Sequence, residues 1–142
     1  MWTHECTAIS ALPAHAIWNA LKGVHEGSIT YEGADTFVLH GPFAQGTRLS
    51  VTLVGQDTFE STIVDLVENV TYADEASFGG ATLLFRHTLV AVDGGTHVTH
   101  RLDISGPTAA EVGPELGPQI SSDFDVTMAR LLEKAQELAD RG

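Results

Sequence analysis

Apolar and polar residues alternate at a period of two along most of the chain, which predicts a β-rich fold. Successive side chains of a strand point to opposite faces of a sheet, so this alternation indicates strands with one buried face. The predicted strands cover residues 2–11, 35–40, 47–54, 58–67 and 70–77, followed by a hairpin at 80–107. Ile63, Val64 and Leu66 break the strict alternation, which predicts a β-bulge in the fourth strand.

The hairpin from Gly80 to Pro107 has the clearest pattern, two alternating arms joined by a tight turn. Asp-Gly between such arms is a strong hairpin signal, because a type I′ turn needs a positive φ at both central residues. If Asp93-Gly94 is the loop, His87 faces His100. If Gly94-Gly95 is the loop, the two histidines are diagonal neighbours. Either register brings two imidazoles together on an otherwise apolar face.

Apolar residues at spacings of three and four predict a first helix directly after the first strand. Pro13 stands where this helix can begin, since a proline in the first turn loses no hydrogen bond. Gly23 is expected to end it. Residues 24–34 contain two glycines and mixed polarity, which predicts a loop or a short irregular segment.

After Pro107 the spacing predicts a long amphipathic helix. Gly113-Pro114 and Gly117-Pro118 are expected to break or kink its first part, leaving a continuous helix over residues 118–138. The economical arrangement is an α+β helix-grip fold: a curved antiparallel sheet of about seven strands wraps around the long C-terminal helix, which covers the sheet's apolar face.

Composition limits the classes of function. The chain has 142 residues, 43% of them hydrophobic, which predicts one globular domain over residues 1–142. The formal net charge of −12 disfavours nucleic acid and anionic membranes as partners. Cys6 is the single cysteine and requires no oxidising compartment. No leader and no apolar run near twenty residues is found, which predicts a cytoplasmic protein without membrane insertion.

Several short motifs carry a resemblance to a known family. They are Ala11-Leu12-Pro13 with Ile17-Trp18-Asn19-Ala20-Leu21, Gly41-Pro42-Phe43 with Gly46-Thr47, Gly80-Ala81-Thr82-Leu83 with Phe85 and His87, the segment from Gly95 to Arg101, and Ser105-Gly106-Pro107. Together they resemble the START-like, helix-grip (SRPBCC) superfamily, and within it the small bacterial proteins labelled polyketide cyclase/dehydrase. The resemblance covers nearly the whole chain. It implies a deep cavity between sheet and C-terminal helix that takes hydrophobic or aromatic small molecules.

Nine side chains are candidates for contact with such a ligand. They are Trp18, Phe37, Phe43, Tyr72, Phe85, His87, His100, Phe124 and Met128. Aromatic and methionine residues at regular spacing more often form a filled core, whereas the helix-grip fold leaves space between sheet and helix. Tyr72 shares a strand face with Asp74, so this polar pair either meets a ligand's hydroxyl or keto group or lies solvated near the sheet's edge. Phe43 and residues 24–34 are candidates for the cavity rim.

His87 and His100 are the candidate catalytic residues, because imidazole titrates near neutral pH and can polarise a carbonyl or act as acid and base. The alternative is that they bond each other, a strand neighbour or a buried water and only stabilise the hairpin. Glu5 is a candidate catalytic partner for these two histidines if the first strand lies beside the last one. Arg86 and Arg101 fall on the outer face by alternation, so they do not supply an enolate-stabilising charge inside.

The sequence predicts neither a metal site nor a cofactor. His97 and His100 lie three apart, and that spacing on a strand points them to opposite faces. The chain has no G-x-S-x-G nucleophile elbow and no glycine-rich phosphate loop.

Two function hypotheses follow, with a third behind them. The first is a binding module for a hydrophobic small molecule, aromatic, polyketide-like or lipid-like. The second is a polyketide cyclase/aromatase- or dehydratase-like enzyme that uses the cavity histidines as general acid and base. The third is a protein-binding, co-chaperone-like role for the sheet or helix.

Overall fold

The computed structural model describes residues 1–30, 35–53, 55 and 57–141. Its strands and helices follow the predicted order. They are β1 (Trp2–Ser10), α1 (Ala14–Glu26), β2 (Thr36–Leu39), β3 (Arg48–Thr52), β4 (Thr58–Val67), β5 (Thr71–Phe78), β6 (Ala81–Val92), β7 (Gly95–Ser105), α2 (Ala109–Ser121) and α3 (Phe124–Arg141). The predictions for residues 31–34, for Val54 at the end of the third predicted strand and for Gln56 in the following turn lie outside the described residues.

The seven strands form one antiparallel sheet in the order β1-β7-β6-β5-β4-β3-β2, as the α+β helix-grip prediction requires. Consecutive strands are neighbours except β1, which pairs with β7 and brings the two ends of the strand region together. The predicted bulge is confirmed, since the pairing of β4 with β5 shifts register between Ile63 and Asp65. A bulge bends its strand and increases the local twist, which helps the sheet to curve.

The β6–β7 hairpin has Asp93-Gly94 as its two-residue loop, because Val92 pairs with Gly95. This register places His87 directly opposite His100. Gly94 has a φ of 80°, whereas Asn69 is the one described non-glycine residue with a positive φ. Asp93 therefore keeps a negative φ, and the turn is not the type I′ turn that the sequence predicts. The loop length and the register hold, because they need a glycine at the second loop position only.

Helix α1 runs to Glu26, one turn beyond the predicted end at Gly23. Gly23 is buried inside the helix, where a Cβ atom would collide with the side chain of Ile29. The actual cap is Gly27, with a φ of 82° and a backbone N–H directed to the carbonyls of residues 23 and 24. A glycine in the left-handed conformation ends helices in this way. Residues 24–26 are consequently helical rather than irregular.

Helix α2 runs through both prolines, so no break occurs at the Gly-Pro pairs, and the continuous helix predicted over residues 118–138 is wrong. The break falls instead after Ser121, and α3 begins at Phe124. Pro114 and Pro118 lie on the exposed side of α2, where the carbonyls that lose an amide partner also lie. None of the helices in the described part of the chain is long and apolar enough to span a membrane.

The buried face of α2 is shaped by Gly113 and Gly117, which pack against Trp2 of β1. A Cβ atom at Gly117 would lie 2.6 Å from two ring carbons of Trp2, too close for either group to remain in place. The two glycines therefore let α2 lie directly on the indole.

We expect Gly117→Ala to lower the free energy of unfolding by about 1–3 kcal/mol, because overpacking exceeds the gain of replacing a helical glycine. Urea denaturation measures this change. In a Trp2→Ala background the same substitution should become neutral or stabilising, because the colliding ring is absent. An equal loss in both backgrounds would contradict the packing argument.

Candidate functional site

A cavity of about 70 Å³, the inner cavity, lies between the sheet, the end of α1 and α3. Six of the nine predicted ligand-contacting residues line it: Phe37, Phe85, His87, His100, Phe124 and Met128. Strands contribute four of these side chains through inward-facing positions, and α3 contributes two that are one turn apart. The sheet and the helix thus supply opposite walls of one mainly apolar space, and His25 of α1 adds a third imidazole to the two from the strands.

The other three predicted residues, Trp18, Phe43 and Tyr72, are not part of the lining. They pack on one another instead: Phe43 stacks on Tyr72 with ring centroids 5.6 Å apart and meets the edge of Trp18 at 6.2 Å. Tyr72 is fully buried and Trp18 almost so. These aromatic rings form filled core beside the cavity.

The two strand histidines belong to a column of stacked rings. His87 lies on His100 with centroids 4.0 Å apart and an interplanar angle of 19°. His100 in turn lies on Phe124 of α3, again at 4.0 Å and nearly parallel at 16°. Helix α3 therefore closes over the hairpin through a ring stack, in which Phe124 covers one face of His100.

A third histidine, His25, completes the cluster from the last turn of α1. The centroid of its ring lies 4.2 Å from that of Tyr72, 4.4 Å from that of Phe37 and 5.5 Å from that of His87, which it meets edge to face. Its Nδ1 lies 2.8 Å from the carbonyl oxygen of Leu21, so this nitrogen carries the proton and donates. Sequence reasoning missed His25 because the helix was expected to end at residue 23. Its position four residues after Leu21, on the buried side of the helix, is the signal that could have found it.

Burial makes all three imidazoles neutral at pH 7. Loss of solvation lowers the pKa of His25 to about 4 and, with the nearby histidines, that of His100 to about 3. Burial and then the neighbouring His100 and His25 lower the pKa of His87 well below its ordinary value. The Nδ1 atom of His87 is buried and has no hydrogen-bond partner. The cluster can offer neutral donors and acceptors, and one nitrogen is unsatisfied.

Asp74 supplies a buried carboxyl group to the same cavity. Tyr72 donates its hydroxyl hydrogen to Oδ2 at 2.7 Å, and Ser61 donates to Oδ1 at 2.9 Å. Burial raises the pKa of Asp74 to about 6, and the two hydrogen bonds limit the rise. The Tyr72–Asp74 pair is therefore an internal network, and not a solvated group at the sheet's edge.

The remaining candidates lie away from the cavity or lack reactivity. Glu5 is beside β7 as expected, but it faces outward and pairs with Arg101 at 3.0 Å, so it is not a partner for the histidines. Cys6 donates its thiol to Asp125 at 3.0 Å, and burial raises the pKa of Cys6 to about 11. A thiol with that pKa is a poor nucleophile at neutral pH. Within the described ranges, no group of His, Cys, Asp and Glu is arranged to hold a metal ion.

No family model and no curated protein sequence matches this chain. Solved structures do match it over nearly its whole length. The Zhui aromatase/cyclase from Streptomyces sp. R1128 is 15% identical over 94% of this chain and 93% of its own, with a TM-score of 0.71. Norcoclaurine synthase from Thalictrum flavum, in complex with dopamine and hydroxybenzaldehyde, is 14% identical over 99% and 87%, with a TM-score of 0.73. Ara h 8.0201 is 18% identical over 99% and 98%, with a TM-score of 0.68.

These similarities show that the chain has the START-like, helix-grip fold that its sequence motifs predict. At such low identities they establish the fold alone. The matched proteins include an aromatase/cyclase and a synthase seen with dopamine and hydroxybenzaldehyde, so one fold carries different chemistry. The chemistry of this chain must therefore be argued from its own residues.

The buried imidazoles predict a definite pH dependence of stability. The unfolded chain binds protons at His25, His87 and His100 below pH 6.5, whereas the folded protein does not until much lower pH. The free energy of unfolding should fall as the pH drops from 6.5 toward 4, by on the order of 1.4 kcal/mol per pH unit for each histidine. Asp74 opposes this trend between about pH 6 and 4, because its raised pKa favours the folded form as it takes up a proton.

Two variants test these opposing contributions by urea denaturation between pH 4.5 and 7. We expect His100→Phe, which keeps a ring in the stack, to reduce the slope of unfolding free energy against pH by about the contribution of one histidine. Asp74→Asn should steepen the slope, because it removes the opposing group. Slopes equal to that of the unmodified protein would show that these side chains do not titrate as buried groups.

Proposed function

We propose that this protein binds a small, uncharged, largely aromatic molecule carrying a hydroxyl or carbonyl group in the inner cavity. The observation that carries the proposal is His87, which lines the cavity and has a buried Nδ1 without a hydrogen-bond partner. A buried polar group left unbonded costs about 1–3 kcal/mol. A half-turn of the ring about its Cβ–Cγ bond interchanges the positions of Nδ1 and Cδ2, so Nδ1 can turn toward a ligand hydroxyl in the cavity and be satisfied by it.

The apolar part of the lining supplies affinity through burial of the ligand. Phe37, Phe85, Phe124 and Met128 offer apolar surface on both sides of the cavity. Burial of apolar ligand area contributes about 25 cal/mol per Å² removed from water. A few polar groups in a mainly apolar pocket fix the orientation of a ligand, which is the usual division of roles in small-molecule sites.

Electrostatics favours a hydrogen-bond donor over an anion. At pH 7 the imidazoles are neutral, and Asp74, with a pKa of about 6, is mostly ionised. A second negative charge in a buried site beside this carboxylate is unfavourable, whereas a phenolic hydroxyl can donate to an imidazole or to the carboxylate. Norcoclaurine synthase, which shares the fold, is seen with dopamine and hydroxybenzaldehyde, and both carry a phenolic hydroxyl. That similarity supports a phenolic ligand class here.

Calorimetric titration with 4-propylphenol and with propylbenzene tests the proposed role of His87. The unmodified protein should bind 4-propylphenol saturably. In His87→Leu the ratio of the affinity for 4-propylphenol to the affinity for propylbenzene should fall roughly two- to tenfold, because one net hydrogen bond is lost. Met128→Leu, a volume-conserving change in the same wall, should leave the ratio unchanged. No saturable binding of either compound would overturn the proposal.

Asp74 favours a second candidate function, catalysis of enolisation as in a cyclase- or dehydratase-like enzyme. A general base works best with a pKa near the operating pH, and Asp74 meets this condition while the histidines lie well below it. The neutral imidazoles of His87 and His100 would then hold the carbonyl oxygen by hydrogen bonds. The acid–base role that the sequence suggests for the histidines thus moves to the aspartate.

Hydrogen–deuterium exchange at the carbon next to the carbonyl of 4-hydroxyphenylacetone, followed by NMR, tests this second function. We expect faster exchange with the protein than in buffer, and a loss of about a hundredfold or more of that acceleration in Asp74→Asn. The His87→Ala, His100→Ala double variant should lose it as well. Exchange no faster than in buffer would exclude enolisation of this ketone and leave the binding function standing.

A further inference from the structure

A second and larger cavity, the outer groove, lies beneath α2 and has a volume of about 450 Å³. Its walls include Phe59 of β4, Ala76 of β5, Leu83 of β6 and Leu116 of α2. Both spaces are open to solvent to a similar degree, and the outer groove has the larger volume. None of the sequence motifs points to it.

The outer groove adjoins the inner cavity. Leu53 and Ile120 line both spaces and form the boundary between them. On β6, Leu83 faces the groove and Phe85, two residues along the same strand face, lines the inner cavity. Phe59 of the groove stacks on Phe85 with centroids 6.2 Å apart. The two spaces therefore lie end to end on one face of the sheet.

The outer groove is several times larger than the inner cavity, and this difference limits which part of a ligand each space can hold. Typical small-molecule sites measure about 300–1,000 Å³. The inner cavity, at about 70 Å³, has room for only one end of a ligand of that size, while the outer groove, at about 450 Å³, falls within that range. The partly unsatisfied histidine, however, belongs to the inner cavity. Neither space provides both the volume and this polar group.

We propose that the ligand has two parts, a hydroxylated ring in the inner cavity and a longer uncharged apolar tail in the outer groove. This inference rests on the proposed binding function. From His87 to Leu83 is four residues along β6, so the ligand spans about 13 Å at about 3.3 Å per residue. Asp57 and Glu115 line the groove, and no Lys, Arg or His does within the described part of the chain. A carboxylate or phosphate at the end of the tail is therefore disfavoured.

A series of 4-alkylphenols from methyl to octyl, measured by calorimetric titration, tests the two-part ligand. In the unmodified protein the affinity should rise roughly three- to fourfold per added methylene as the tail passes Leu53 and Ile120 into the groove. An octyl chain ending in a carboxylate should bind more weakly than the neutral octyl compound. If short phenols bind but the affinity does not rise with chain length, the two-part ligand is refuted and the inner site stands. If no phenol binds, the proposed function itself fails.

Substitutions in α2 locate the tail. Leu116→Trp fills the groove without touching the inner cavity, so it should abolish the gain from the longer chains and leave the affinity for 4-methylphenol unchanged. Ala110→Trp places the same ring on the exposed side of the same helix and should change neither value. Equal chain-length profiles in all three proteins would place the tail outside the groove and overturn the assignment.

Discussion

The register of the β6–β7 hairpin is the constraint on which the candidate site depends. A two-residue loop at Asp93-Gly94 sets His87 opposite His100, and both then face the helix. A slip of one residue would turn every side chain of a strand to the other face, so that Arg86 would replace His87 at the inner face. The position of one tight turn thus decides whether the inner cavity holds neutral rings or a cation.

Burial of these rings has an energetic cost that the surrounding structure offsets only in part. Phe124 covers the histidine stack, and His25 satisfies its own N–H through the carbonyl of Leu21. His87 keeps one nitrogen unbonded, although the great majority of buried polar groups in proteins are paired. An unfavourable feature inside an otherwise well-packed core is typical of functional positions, because a bound molecule can remove it.

The sequence predicts the sheet well because alternation and turn residues are local signals, and the β6–β7 register and the β4 bulge follow from them. It fails where packing overrides a local signal. Gly23 and the Gly-Pro pairs of α2 are expected to end or break helices, yet each lies inside a helix. At the glycines a neighbouring side chain occupies the space that a Cβ atom would need, and the prolines face solvent. His25 is missed through the first of these errors. The burial of Asp74 depends on contacts with Tyr72 and Ser61 from a neighbouring strand position and another strand, and no local pattern reveals it.

The break between α2 and α3 also positions two residues of the cavity walls. Ile120 stands at the end of α2, on the boundary of the two cavities, and Phe124 opens α3 by stacking on His100. In one continuous helix these residues would be separated by four positions and would lie on the same face. With the break after Ser121, Phe124 closes the inner cavity while Ile120 remains between inner cavity and groove. A change in the helix direction here would therefore shift Ile120, which lines both spaces, without altering the polar groups of the inner cavity.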